Sequence, residues 1–273
     1  MIILHPSIAL AMKVALLSIT DVPASNGISP ENTLHLRHHH SQHSSKSYQH
    51  EDMGRGGQSN SNNFDFYVYS MTYQPEFCRE NNEKFVGCKR PDEYWEKQLT
   101  IHGLWPQRLD GTWPSTCTSE PLDTSKFYLS PDNTSILPDM EQKWPNVKAA
   151  ANSGDHSEFW AHEWSKHGTC SGLMQFDYFH SALGLLLDTP AVVREGYGTT
   201  VDKKTLLQGY GGDNMAALVC KSGYLSEVRA CFEKNEDGTP GERMECPEKV
   251  LSESSCSDQV YIASFGMAAA DVQ

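Results

Sequence analysis

Two stretches decide how this chain reads: LTIHGLWPQRLDGTWPSTC (99–117) and FWAHEWSKHGTC (159–170). The first opens as a β-strand, QLTIHGLW (98–105), which Pro106 is expected to end because proline cannot donate to a sheet ladder. His102 sits near the end of that strand, followed by Gly103, which lets other groups approach the backbone closely. The second stretch lies in SEFWAHEWSKH (157–167), which reads as a helix. Asp155 and Glu158 have capping-box spacing, and Gly168 follows as a stop signal. On such a helix Glu163 and His167, four apart, share a face, and Lys166, three from Glu163, flanks them. Carboxylate, ammonium and imidazole then converge on one spot, where each tunes the others' pKa. The same spacing also suits a solvated helix with an ordinary i,i+4 pair.

His162-Glu163 followed by His167 imitates a zinc-protease HExxH, but its histidines are five apart rather than four. At about 100° per residue they diverge by roughly 140°, so one helix cannot offer both to one metal. A metal hydrolase is excluded on that geometry, and neither metal nor cofactor is expected.

Working outward, FDFYVYSMTY (64–73) is dense in aromatic and β-branched residues and reads as a strand. A short helix is expected within 139–150, broken near Pro145. Another is expected over 174–188, where Phe176, Phe179, Leu183, Leu186 and Leu187 recur at helical spacing. YLSEVRACF (224–232) and DQVYIASF (258–265) read as strands. Helices fall in the middle and strands at both ends, without βαβ alternation. The expected class is α+β, a central antiparallel β-sheet flanked by helices.

The 273 residues carry 22 Lys and Arg against 35 Asp and Glu, a formal charge of -13. That balance argues against a broad basic face for nucleic acid but not against an enzyme that holds a polyanion at a small site. No apolar run approaches the roughly 20 residues of a membrane-spanning helix. Eight cysteines lie between Cys78 and Cys256, the closest spacing being ten, which suggests four disulfides rather than zinc sites and hence an oxidising compartment. Residues 1–24 are expected to form a signal peptide: an apolar run over 8–19, interrupted by Lys13, precedes Val22-Pro23-Ala24. Residues 25–63, rich in Ser, Asn, Gly and His, cannot bury enough surface to offset ordering and are expected to be disordered. Their six histidines read as a solvated linker or, more sharply, as a metal-binding tract. The folded domain is expected over 64–273, with Asn133 of Asn133-Thr134-Ser135 as a glycosylation acceptor.

The two opening stretches resemble the active-site motifs of the ribonuclease T2 family, the secreted acid endoribonucleases, and the likeness extends over the body but not over residues 1–63. The resemblance implies a T2-like fold and metal-free cleavage of single-stranded RNA. In that reaction the 2′-hydroxyl attacks the adjacent phosphorus to give a 2′,3′-cyclic phosphate, then a 3′-phosphate end. It implies His167 as base, His102 as acid, Lys166 and Glu163 at the transition state and His162 on the phosphate. Trp105 and Trp113 would stack on the first base and its sugar, and Phe159 lies near the second base site. The family usually shows Tyr where this chain has Trp113 and often Asp where it has Gln107, so weak base preference is expected. The implied disulfides are Cys78–Cys88, Cys117–Cys170, Cys220–Cys256 and Cys231–Cys246. An acid pH optimum follows, since one histidine must be neutral while the other is protonated. The implied protein is a monomer of the secretory pathway, extracellular or vacuolar/lysosomal, without DNA or membrane partners. A fold kept for binding or storage is the competing reading, and against it His102, Glu163, Lys166 and His167 are all present.

Overall fold

The computed structural model describes residues 63–81, 84–129, 134–149, 156–185 and 187–266. The signal-peptide reading, nearly all of the Ser/His-rich segment, Asn133 and Asp155 lie outside them.

The strands are β1 (Phe66–Thr72), β2 (Thr100–Gln107), β3 (Tyr128–Leu129), β4 (Thr134–Ser135), β5 (Thr200–Asp202), β6 (Ala216–Lys221), β7 (Tyr224–Lys234), β8 (Pro240–Met244) and β9 (Gln259–Tyr261). All but β3 and β4 join one sheet, ordered β2-β1-β7-β9-β5, with β6 and β8 also on β7. The eleven-residue β7 is its spine. Its residues 227–233 pair antiparallel with β1, while β6 and β8 share the opposite edge. The sheet is antiparallel except for one parallel bridge, Tyr224 to Tyr261. A Ser222-Gly223 turn, both residues at positive φ, closes the β6–β7 hairpin.

Strand β1 is buried on both faces. Tyr67, Tyr69 and Met71 enter the main core with Trp144, Trp160, Trp164, Tyr178 and Phe179. Phe66 and Val68 alternate to the other side, where Cys231, Ala217 and Val250 form a smaller cluster against Trp105. This period-2 division is what a strand between two packed layers requires.

Pro106 does not end β2. It pairs with Tyr67 inside the strand, which is tolerated because β2 is the sheet's edge and no partner needs its missing N–H. The helix expected over 139–150 is Leu137–Lys143, stopped before Pro145, whose ring disfavours helical backbone at Trp144. The one expected over 174–188 is Gln175–Gly184, ending at a glycine.

The helix Ser157–Lys166, called α1 here, has His156 at its N-cap position, where the ring makes no capping bond and instead accepts from Asn146 N–H at 2.9 Å. Gly168 does not stop it in a left-handed turn either; a 3-10 turn, Gly168–Cys170, follows directly. A Cβ at Gly168 would lie 2.3 Å from the Trp164 ring, so the glycine serves close packing.

Disulfides join Cys78–Cys88, Cys117–Cys170, Cys220–Cys256 and Cys231–Cys246. The second ties the loop after β2 to the end of α1, where Thr116 N–H also donates to Lys166 O at 3.0 Å and Cys117 N–H to Thr169 Oγ1 at 3.1 Å.

Candidate active site

The β1–β2 ladder pairs Ser70 with Gly103 and Met71 with Ile101, leaving His102 as the extra residue of a β-bulge. The core demands it. Ile101 and Leu104 both lie in the main cluster, which a regular strand could not arrange for residues three apart. One inserted residue restores the parity and turns His102 to the opposite side, the re-aiming that bulges provide. Behind it Trp144 Nε1 donates to His102 O at 2.9 Å, holding the bulge against the core.

Helix α1 supplies the facing wall. Trp160 and Trp164, four apart, anchor it in the core, which sets Glu163 and His167 toward β2 while His162 and Lys166 remain exposed. Glu163 Oε1 lies 3.9 Å from His102 Nε2, and Oε2 accepts from Trp105 Nε1 at 3.0 Å. The Trp105 ring stacks on His167 at 5.3 Å between centroids and meets His102 edge-on at 5.1 Å. Gly103 is where the tryptophan and the carboxylate come closest: a Cβ there would lie 2.1 Å from Trp105 Nε1 and 2.2 Å from Glu163 Oε2.

His102, Trp105, Trp113, His162, Glu163, Lys166 and His167 line one cleft of about 290 Å³. Trp113, 54 % exposed, stands at its mouth, and Gln107 is in its wall. Phe159 is not in this cleft. It packs 5.7 Å from the His102 ring and lines a second cavity of about 780 Å³ with Asn146 and Lys148. The two cavities share His102 and His162.

Electrostatics separate the two imidazoles, His167 buried and His102 partly so. For His102 desolvation favours the neutral ring, but its hydrogen bond to Glu227 and the charges of Glu163 and Glu227 outweigh that and hold its pKa above the ordinary value. For His167 desolvation, with Lys166, His102 and His162 nearby, pushes the pKa down to about 3. Its Nδ1 has no hydrogen-bond partner among the described residues. Burial raises the Glu163 carboxyl, partly opposed by His102 and the Trp105 indole. Glu227 is held down at about 2, its burial outweighed by His102 and Arg229. The site therefore pairs one imidazole that keeps its proton with one that sheds it.

Sequence reasoning missed Glu227 and Arg229. Both belong to β7, opposite Thr72 and Ser70, on the face away from the core residues Val228 and Ala230. Two opposite charges alternating with core residues along a strand were the available signal. No cluster of three or more His, Cys, Asp or Glu suited to a metal occurs among the described residues.

The profile of the ribonuclease T2 family matches residues 64–241. Intracellular ribonuclease LX of Solanum lycopersicum is 38% identical over 125 residues, 45% of this chain and 48% of that one. The chain thus spans about half the length of that relative. Ribonuclease DdI of Dictyostelium discoideum is 29% identical over 220 residues, 74% of this chain and 85% of that protein. Among solved structures, RNase NT in complex with 5′-AMP superposes with a TM-score of 0.55 at 25% identity, over 74% of this chain and 99% of that one. The family match over residues 64–241 spans β1, the bulged β2, α1 with His167 at its end, and the whole of β7. The chain belongs to the ribonuclease T2 family.

Proposed function

We propose that the chain is a metal-independent endoribonuclease that cleaves single-stranded RNA through a 2′,3′-cyclic phosphate to 3′-phosphate ends. The observation that carries this reading is the opposed tuning of two imidazoles in one cleft. His167, neutral over nearly the whole acid range, takes the 2′-hydroxyl proton as the oxygen attacks phosphorus. His102, protonated, gives its proton to the departing 5′-oxygen. In the hydrolysis step the roles exchange, since each ring now holds the other's proton state. Lys166 and His162 face the negative phosphorane from the exposed side of α1.

Charge supports the same reading. In a protein of formal charge -13, the cleft is lined by four Lys or Arg (Arg108, Lys166, Arg229, Lys249) and two carboxylates (Glu163, Glu253). That local reversal of sign suits a phosphodiester. With His102 and His162 at the seam between the cavities, the scissile phosphate sits there and the flanking nucleosides enter on either side. Trp105 and Trp113 offer aromatic faces on one side and Phe159 on the other. Stacking tolerates any base, and Gln107 cannot act as a carboxylate acceptor, so base preference is weak. We place the protein in the secretory pathway, because four disulfides call for an oxidising compartment, and we propose that it acts as a monomer.

The test is cleavage of UpA at pH 5 in excess EDTA, beside the His102→Ala protein. Expected is a 2′,3′-cyclic phosphate product from the unaltered protein alone. Intact UpA from correctly disulfide-bonded protein would favour the binding or storage reading. Loss of activity in EDTA with recovery on adding zinc would overturn metal independence.

A further inference from the structure

Beneath His102 the sheet supplies a second carboxylate. Glu227 Oε1 lies 2.9 Å from His102 Nδ1, across 125 residues of sequence. Its other oxygen, Oε2, accepts from Arg229 Nε and Nη2 at 3.1 and 2.8 Å and from Ser70 Oγ at 3.4 Å. Arg229 is itself fixed, pairing with Glu253 and lying 5.3 Å over the Trp105 ring. Glu227 is therefore a carboxylate whose position is set from three sides, with its free oxygen on the imidazole. Its side chain is only 16% exposed, so little water reaches the carboxylate, while the histidine, 30% exposed, opens to the cleft.

We propose that Glu227 is the positioning residue of the acid histidine: by accepting the Nδ1 proton it fixes the ring's orientation, leaves the Nε2–H facing the cleft, and keeps that proton on at the pH of reaction. An imidazole bonded through Nδ1 to a carboxylate has its tautomer and rotation decided by that bond. In a bulge, where the backbone ladder does not hold His102, this constraint matters most. The charged groups around the ring are Glu163 from α1, Glu227 and Arg229 from β7, and the more distant His162 and His167. Glu163 approaches only Nε2, the atom that must reach substrate, so Glu227 is the partner available to the other nitrogen. Arg229 acts one step further back. It keeps Glu227 ionised and aimed, and links it to Trp105 on the opposite cavity wall.

This inference deepens the proposed reaction and rests on it, so its test reads the histidine as well as the rate. In Glu227→Gln the amide oxygen still accepts from Nδ1 but the charge is gone. Proton-detected 15N titration of His102 should show its midpoint displaced to lower pH in E227Q, whether or not RNA is cleaved. If the protein is the proposed ribonuclease, the alkaline limb of its kcat profile on UpA moves down in the same variant. At pH 7 kcat then falls by roughly 10- to 100-fold, with KM little changed, the range expected when one general acid is mistuned. Glu227→Asp, which keeps the charge, should recover part of both signals.

An unchanged His102 midpoint in folded E227Q would overturn the proposal. So would a kcat loss of the same size at every pH, which a structural role would give. A displaced midpoint in a protein that never cleaves UpA would sustain the Glu227–His102 coupling and remove the ribonuclease reading. Should E227Q fail to fold, Arg229→Lys offers the second reading. It leaves Glu227 in place but loosens it, and the midpoint must fall in the same direction.

Discussion

The tightest point of the site is a glycine, and replacing it tests the geometry most directly. In Gly103→Ala the new methyl would stand 2.1 Å from Trp105 Nε1 and 2.2 Å from Glu163 Oε2, atoms joined by a 3.0 Å hydrogen bond. Neither side can yield freely. Glu163 is 1 % exposed on a helix anchored by two buried tryptophans, and the Trp105 ring lies against both histidines. The bond must open, and a hydrogen bond to a charged group contributes about 1.5–3 kcal/mol. Expressed in the transition state, that is a loss of roughly 10- to 150-fold in kcat. Glu163 also withdraws from His102, so the alkaline limb of the pH profile should shift down. The assay is kcat and KM on UpA at pH 5, with thermal unfolding of the same samples. Gly196→Ala is the control. Its Cβ would press on Val192 O at 2.5 Å and Val201 Cγ2 at 2.6 Å, outside both cavities, so stability should suffer while kcat holds. A folded G103A enzyme within twofold of the parent kcat would refute this account of the site.

Removing the clamp between the loop after β2 and α1, as Cys117→Ala with Cys170→Ala, should cost both stability and activity. Freeing a loop of 53 residues corresponds to about 4 kcal/mol of unfolded-state entropy, and urea unfolding beside UpA cleavage checks both losses. His167 should make the fold sensitive to acid. The unfolded chain takes up this proton near pH 6.5 but the folded site refuses it until about pH 3. Its contribution is thus fully present above pH 6.5 and lost as pH falls, by about 1.4 kcal/mol per unit. His167→Asn should therefore lose about 2–3 kcal/mol less than the parent between pH 6.5 and 4.5; parallel urea-unfolding curves for the two proteins would contradict this.

The local part of this site was legible in the sequence and the long-range part was not. Helix α1 could be read because Glu163, Lys166 and His167 fall at helical i,i+3 and i,i+4 spacing. The strand around His102 could be read because its residue types favour extended backbone. The bulge could not, since it depends on how β1 registers against β2. Gly103 inside a strand was its one local sign. Pro106 misled for a related reason: whether proline ends a strand or lies within it depends on which edge carries a partner, and that is set by the whole sheet. Glu227 reaches His102 only because β1 separates β2 from β7 by a single strand width. No spacing rule connects residues 125 apart.

These two kinds of information divide along the chemistry. In the proposed reaction the groups that meet substrate sit on locally encoded elements, the end of α1 and the exposed side of β2. The groups that set their protonation come from the tertiary arrangement. A histidine held charged in a partly buried position needs anionic neighbours, and here two carboxylates approach it from different layers, Glu163 on Nε2 and Glu227 on Nδ1. A histidine held neutral needs the reverse, and His167 has it: desolvation, Lys166, and a tryptophan ring across its face. The same indole lies against both imidazoles while its N–H holds Glu163, so Trp105 is the element through which their environments are kept apart. A change of Trp105 should for that reason bring the two limbs of the pH profile together. Loss of stacking on the substrate alone would raise KM and leave both limbs where they were.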